Sequence, residues 1–168
     1  MGIERSVVAV PARLQSSRLP NKVLADIGGK PMIQRVLEQC AQASGPACVV
    51  LCTDSTALQE AAQVWGFPVL MTSEHCTSGS ERIASVADQL VGMAWGETST
   101  QWDGETRAAR LAATAVINVQ GDQPFLDPAV VTAMVAVFGR ASSVPAVVTP
   151  VYRLKLEAIH RCDHGGHR

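Results

Sequence analysis

Residues 7–22, VVAVPARLQSSRLPNK, carry a buried strand straight into a cationic loop. The run Val7-Val8-Ala9-Val10 is continuously apolar, as an inner strand of a parallel sheet requires. Behind it come Arg13, Arg18 and Lys22, with no acidic residue among them and with the hydroxyls of Ser16 and Ser17 as further donors. A strand that ejects the chain into a donor-rich turn is how open α/β sheets build an anion site at their carboxyl edge. The competing reading is three solvated surface cations, and the lack of counter-charge within the loop speaks against it.

Downstream, strand and helix signals alternate. Pro31–Ala43 reads as a helix, with Pro31 suited to the first helical position and Ile33, Val36, Leu37, Cys40 and Ala41 at helical spacing. Gly45-Pro46 stops it. Val49–Cys52 is a second strand, and Asp54 or Ser55 can cap a helix over Thr56–Trp65. After Gly66, Phe67–Met71 is a short strand whose Pro68 points to an exposed or edge start. Ser78–Val91 is a third helix, with Ile83, Val86, Ala87 and Leu90 on one face. Residues 92–113 are rich in Gly, Thr, Gln and acids and read as a surface insertion with a short helix from Glu105. Ala115–Val119 is another buried strand, ending in the turn Gln120–Pro124. Asp127-Pro128 opens a helix through Phe138, and Ala146–Val151 is a last strand. The alternation predicts an α/β fold, a mostly parallel sheet with helices on both faces and right-handed crossovers.

At 168 residues the chain is expected to form one domain, here over residues 1–152, followed by a polar tail over 153–168. A hydrophobic content of 47% excludes a wholly disordered chain. Lys and Arg number 14 against 15 Asp and Glu, a net charge of −1, so no nucleic-acid partner is expected and any positive field is local to the Arg13–Lys22 loop. No apolar run reaches the length of a membrane span, so no membrane partner is expected either. The five cysteines (Cys40, Cys48, Cys52, Cys76, Cys162) are odd in number and scattered, the usage of a reduced, cytoplasmic protein rather than of a disulfide framework. In the tail, His160, Cys162, His164 and His167 place soft donors close together, but no second knuckle frames a zinc site, and the segment reads as a frayed end.

Ligands of such sheets bind outside the carboxyl ends of the strands. Three segments fall there: Pro11–Lys22, Thr53-Asp54, and Gln120-Gly121-Asp122. The helix start at Ser78-Gly79-Ser80 lies near them, with Arg82 one turn in. A cationic loop facing a strand-end carboxylate fits a polyphosphate, neutralised on one side by Arg and Lys and on the other by Mg²⁺ held through Asp122. Asp122 could instead be a turn residue bonded to its own backbone. It follows a very apolar strand, though, where an acid is costly unless it binds something.

The motifs PARLQSSRLPNK, DIGGKPMIQRVLEQ, CTDS, HCTSGSERIASV and NVQGDQPFL, in this order, resemble the N-terminal part of the 3-deoxy-manno-octulosonate (KDO) cytidylyltransferases, the CMP-KDO synthetases, over roughly residues 6–152. The first motif is shared more loosely with CMP-sialic acid synthetases. The resemblance implies a Rossmann-like nucleotide-diphospho-sugar transferase fold and a reaction in which CTP and KDO give CMP-KDO and pyrophosphate with Mg²⁺, for lipopolysaccharide synthesis in the cytoplasm. It assigns Arg13 and Lys22 to the triphosphate, helped by Ser17 and Arg18. It assigns Ser78, Gly79 and Arg82 to the cytidine pocket, Gln120 to the neighbourhood of the sugar and Asp122 to the metal. The family's SGTER motif reads Ser78-Gly79-Ser80-Glu81-Arg82 here, and its GDEP reads Gly121-Asp122-Gln123-Pro124. The family is homodimeric and longer. The resemblance therefore implies a fold incomplete at the C-terminus, without the dimer segment and a second metal-binding Asp, and a tail from about Glu157 unrelated to the family. An inactive CTP-binding fragment, or a cytidylyltransferase for another acidic sugar, is the alternative this leaves.

Overall fold

Val7, Val8, Ala9 and Val10 are completely buried at the centre of strand β1 (Arg5–Ala12). In the computed structural model, residues 2–15 and 21–140 are described. Ser17, Arg18, the expected strand Ala146–Val151 and the tail with its His and Cys donors lie outside them. Strand β1 pairs in parallel with β2 (Val49–Thr53) from Val8↔Val49 to Ala12↔Thr53, and with β4 (Thr114–Asn118) from Arg5↔Thr114 to Ala9↔Asn118. Strand β3 (Val69–Met71) pairs in parallel with β2, so the order is β3-β2-β1-β4 and β3 takes the edge position that Pro68 forecast.

The period of two along the strands divides the core between the faces. Val8, Val10, Leu51 and Ile117 point to one face, where α1 (Met32–Ala41), α2 (Thr56–Val64) and α6 (Pro128–Arg140) bring Ile33, Leu37, Leu58 and Val131. Val7, Ala9, Val50 and Cys52 point to the other, against Ile83, Val86 and Leu90 of the α3–α4 segment. Burial pushes the thiols of Cys40 and Cys52 up to about 12, which leaves them as inert small hydrophobes.

Local chemistry sets the ends of the elements. Ser55, rather than Asp54, caps α2, its hydroxyl accepting from the Leu58 N–H. Pro31 stands at the N-cap of α1 and not one position inside it. The single helix expected over Ser78–Val91 is two, α3 (Gly79–Ala84) and α4 (Ala87–Trp95). Between them the Ser85 hydroxyl donates to the Arg82 carbonyl at 2.7 Å, offering that carbonyl a side-chain partner where the helix stops.

The expected surface insertion over 92–113 begins inside α4, and from 96 to 112 none of its residues is buried. Gly92 and Ala94 are buried in α4, and a Cβ on Gly92 would stand 2.8 Å from the Glu97 carbonyl oxygen. The helix foreseen from Glu105 is α5 (Gly104–Ala112), capped by Asp103 through the Thr106 N–H at 2.7 Å. Its polar residues are spent on ion pairs. Arg110 grips Glu97 with two N–H groups, at 2.6 and 3.0 Å, and lies over the Trp95 ring at 4.0 Å.

Candidate nucleotide-binding site

The direction of strand order reverses at β1: β2 and β3 lie on one side of it and β4 on the other. Helices cover opposite faces on the two sides of such a reversal, which opens a crevice at the carboxyl ends of the two central strands. A cavity of about 440 Å³ occupies that position. Pro11, Ala12 and Arg13 line it from β1, Gln120, Gly121 and Asp122 from beyond β4, and Ser78, Gly79 and Arg82 from α3 and its cap. Lys22 closes the far side. Seven of the candidate residues (Arg13, Lys22, Ser78, Gly79, Arg82, Gln120 and Asp122) thus share one wall-to-wall space, although they span more than a hundred positions of sequence.

Lys22 opens a 3-10 turn over Lys22–Leu24 behind Asn21, whose φ of 57° is left-handed. Asparagine tolerates that region better than most residues. The turn is pinned by Asn21 N–H to the Leu14 carbonyl and by burial of Val23. The loop cation is not without a counter-charge: its ammonium donates to the Asp122 carboxylate at 2.8 Å, across the cavity mouth. A pairing 100 residues apart in sequence could not be read from the loop alone.

On the opposite wall, the Ser78 hydroxyl accepts from the Glu81 N–H, and the Glu81 carboxylate accepts in return from the N–H and hydroxyl of Thr77. This is a capping box shifted by one residue. The two Thr77 bonds hold the Glu81 carboxyl below the usual carboxylate range. Gly79 is required by proximity, because a Cβ there would stand 2.9 Å from Cγ of Pro11. Gly121 is similarly enclosed, with Ile33 Cδ1 and the Pro11 carbonyl both 3.1 Å from its would-be Cβ. The Gln120 amide donates to Asn118 at 3.0 Å, which orients it at the cavity rim.

Arg82 differs most from what the sequence alone indicates. An isolated arginine on a helix is usually solvated, yet its side chain is 3% exposed. Its guanidinium donates to Asp54 at 2.8 Å, to the Thr72 hydroxyl and to the Ser73 carbonyl. Asp54 and Thr72 each follow directly on a strand, β2 and β3, so parallel pairing sets them side by side beneath Arg82. The sequence puts Thr53-Asp54 at the ligand-binding edge, after the second strand, but assigns no role to Asp54 or Thr72. Cys76, buried against the same cavity, was also not foreseen.

An open parallel sheet, with Arg13 and Lys22 after its first strand and a carboxylate after the strand across the reversal, defines an α/β protein with a charged cavity at the edge where such sheets bind ligands. The sequence signature of the family described as Cytidylyltransferase matches residues 7–155, and the chain belongs to that family. It is 44% identical over 124 residues to the 3-deoxy-manno-octulosonate cytidylyltransferase of Idiomarina loihiensis, covering 74% of this chain and 42% of that protein. To the enzyme of the same name from Vibrio vulnificus it is 44% identical over 138 residues, 82% of this chain and 47% of that one. A solved structure of CMP:2-keto-3-deoxy-manno-octonic acid synthetase complexed with CTP matches with a TM-score of 0.63 at 34% identity, over 79% of this chain and 46% of the other. The fold is that of the nucleotide-diphospho-sugar transferases. The chain spans less than half the length of these relatives.

Proposed function

We propose that this chain is the nucleotide-binding part of a KDO cytidylyltransferase, which binds CTP in the switch-point cavity for transfer of the cytidylyl group to KDO. The observation that carries the reading is the convergence of Arg13, Lys22, Ser78, Gly79, Arg82, Gln120 and Asp122 on one cavity, in a chain similar to enzymes of that name. Arg13 and Lys22 would take the triphosphate and balance charge developing at the α-phosphorus. The Ser78–Arg82 wall would receive the cytidine, and Gln120 would face the sugar. The sugar hydroxyl would attack the α-phosphorus in line and expel pyrophosphate, so positioning and electrostatics would supply most of the rate. Ser17 and Arg18 belong to this proposal on the resemblance alone.

Mg²⁺ fits the donor set in one particular way. Asp122 is an exposed carboxylate at the cavity rim, and no group of three His, Cys, Asp or Glu able to hold a metal occurs among the described residues. Mg²⁺ takes few protein carboxylates and shares phosphate oxygens, so Asp122 suits a cation that arrives with the nucleotide. That cation would neutralise phosphate charge. No described helix is long and apolar enough to cross a membrane, and a cytoplasmic location with CTP and KDO as small-molecule partners goes with the proposal.

Two measurements test it. CTP with Mg²⁺ should raise the melting temperature of the chain, and pyrophosphate release should depend on both CTP and KDO. Stabilisation without release would favour the second reading, a chain that binds CTP and does not turn over; release with sialic acid but not KDO would reassign the sugar. Absence of any CTP effect would overturn both.

A further inference from the structure

The two residues assigned to opposite ligands are bonded to each other. Lys22 Nζ lies 2.8 Å from Asp122 Oδ2, with the side chains 41% and 48% exposed, so both remain within reach of an incoming ligand. Both residues sit on backbone held by neighbouring contacts. Lys22 is fixed by the 3-10 turn and the buried Val23, and Asp122 follows Gly121, which is wedged against Ile33 and the Pro11 carbonyl. Rotation of the two half-exposed side chains is enough to open the pair.

From this we infer that the Lys22–Asp122 ion pair couples cation binding to nucleotide binding, so that the site admits a cation-bearing triphosphate and discriminates against either component alone. The inference rests on the proposed assignment of Lys22 to phosphate and Asp122 to the cation. A free divalent cation approaching Asp122 meets an ammonium at bonding distance. A metal-free triphosphate approaching Lys22 meets a carboxylate. Each must break the pair and face a like charge, and neither offers the released partner a substitute. A triphosphate carrying a cation offers both: phosphate oxygens for Lys22 and metal for Asp122. One ion pair is thus exchanged for two, and the coupling is reciprocal by linkage. Because the pair is only half-buried, water screens it, and the coupling at this one contact is on the order of threefold.

The test uses Mn²⁺ counted by electron paramagnetic resonance without nucleotide, and CTP titrated calorimetrically in excess EDTA, on the full chain. Lys22→Gln should bind Mn²⁺ alone about threefold more tightly than wild type, and Asp122→Asn should bind metal-free CTP about threefold more tightly. Both are gains, which a misfolded variant cannot mimic. Combining the two substitutions should abolish the Mn²⁺ gain, which separates this site from His and Cys donors elsewhere in the chain. Arg13→Gln, which removes a cavity cation outside the pair, should leave Mn²⁺ affinity within a smaller factor. The inference is overturned if neither single variant gains, if no variant shows measurable binding, or if Arg13→Gln matches Lys22→Gln, since a general field would then suffice. Failure of the underlying assignment looks different: Asp122→Asn would leave Mn²⁺ binding in the presence of CTP unchanged.

Discussion

Arg82 is a cation that the fold has removed from water and bonded to three acceptors at the ends of two strands. Removing one member of such a pair strands the other. Asp54→Ala should therefore destabilise the chain by about 3 kcal/mol, read as a lowered urea midpoint, whereas Asp54→Asn, which can still accept the hydrogen bond, should cost less. Gly79 poses a steric question rather than an electrostatic one. Gly79→Ala would drive a methyl to 2.9 Å from a proline ring carbon, which cannot rotate aside. A cost of about 1–3 kcal/mol and weaker CTP binding are expected, checked by denaturation and calorimetry on the same preparation. The sequence makes both residues site candidates through SGSER. It does not reveal that Arg82 is buried, because the partners that make burial tolerable lie 10 and 28 residues away, just past the ends of different strands.

Among the elements, the strands were the most legible. Val7–Val10 and Val49–Cys52 are unbroken apolar runs, Ala115–Val119 is interrupted only by Asn118, and each lies within or overlaps a strand of the sheet. The α3–α4 segment was legible in its buried face and not in its break, since nothing in ERIASVADQ is a helix stop by type. The segment 92–113 runs from the end of α4 through α5 to β4. Its polar residues cap α5 and pair across it, and Trp95 and Trp102 donate to Thr114 and Glu97. Arg110 and Trp102 hold the Glu97 carboxyl below its ordinary value, with partial desolvation opposing them. A carboxyl whose pKa is lower in the folded state contributes stability above its unfolded pKa of about 4.3 and loses it as pH falls through the folded value. The penalty of Glu97→Gln, measured as a shift in urea midpoint, should accordingly be largest near neutrality and shrink towards zero in acid. A penalty that stayed constant with pH would place the stabilisation in packing rather than in the ion pair.

For the whole molecule, the reversal of strand order at β1 does the organising: it places Arg13 and Lys22 opposite Gln120–Asp122 and lets α3 close the third side. A ligand that spans all three walls binds only the assembled sheet. CTP at about a hundred times its dissociation constant should then add about 2.7 kcal/mol to the unfolding free energy, measurable as a midpoint shift that scales with nucleotide concentration. A shift that saturated early at a smaller value would mean that the unfolded chain also binds. The sequence sufficed for the alternation of strands and helices, the parallel sheet, the cationic loop and the strand-end carboxylate, because those follow from short-range periodicity and residue type. It could not supply the ion pair between Lys22 and Asp122 or the burial of Arg82 on Asp54. These are contacts between residues remote in the chain, and their energies exist only once the sheet has set the strand ends side by side.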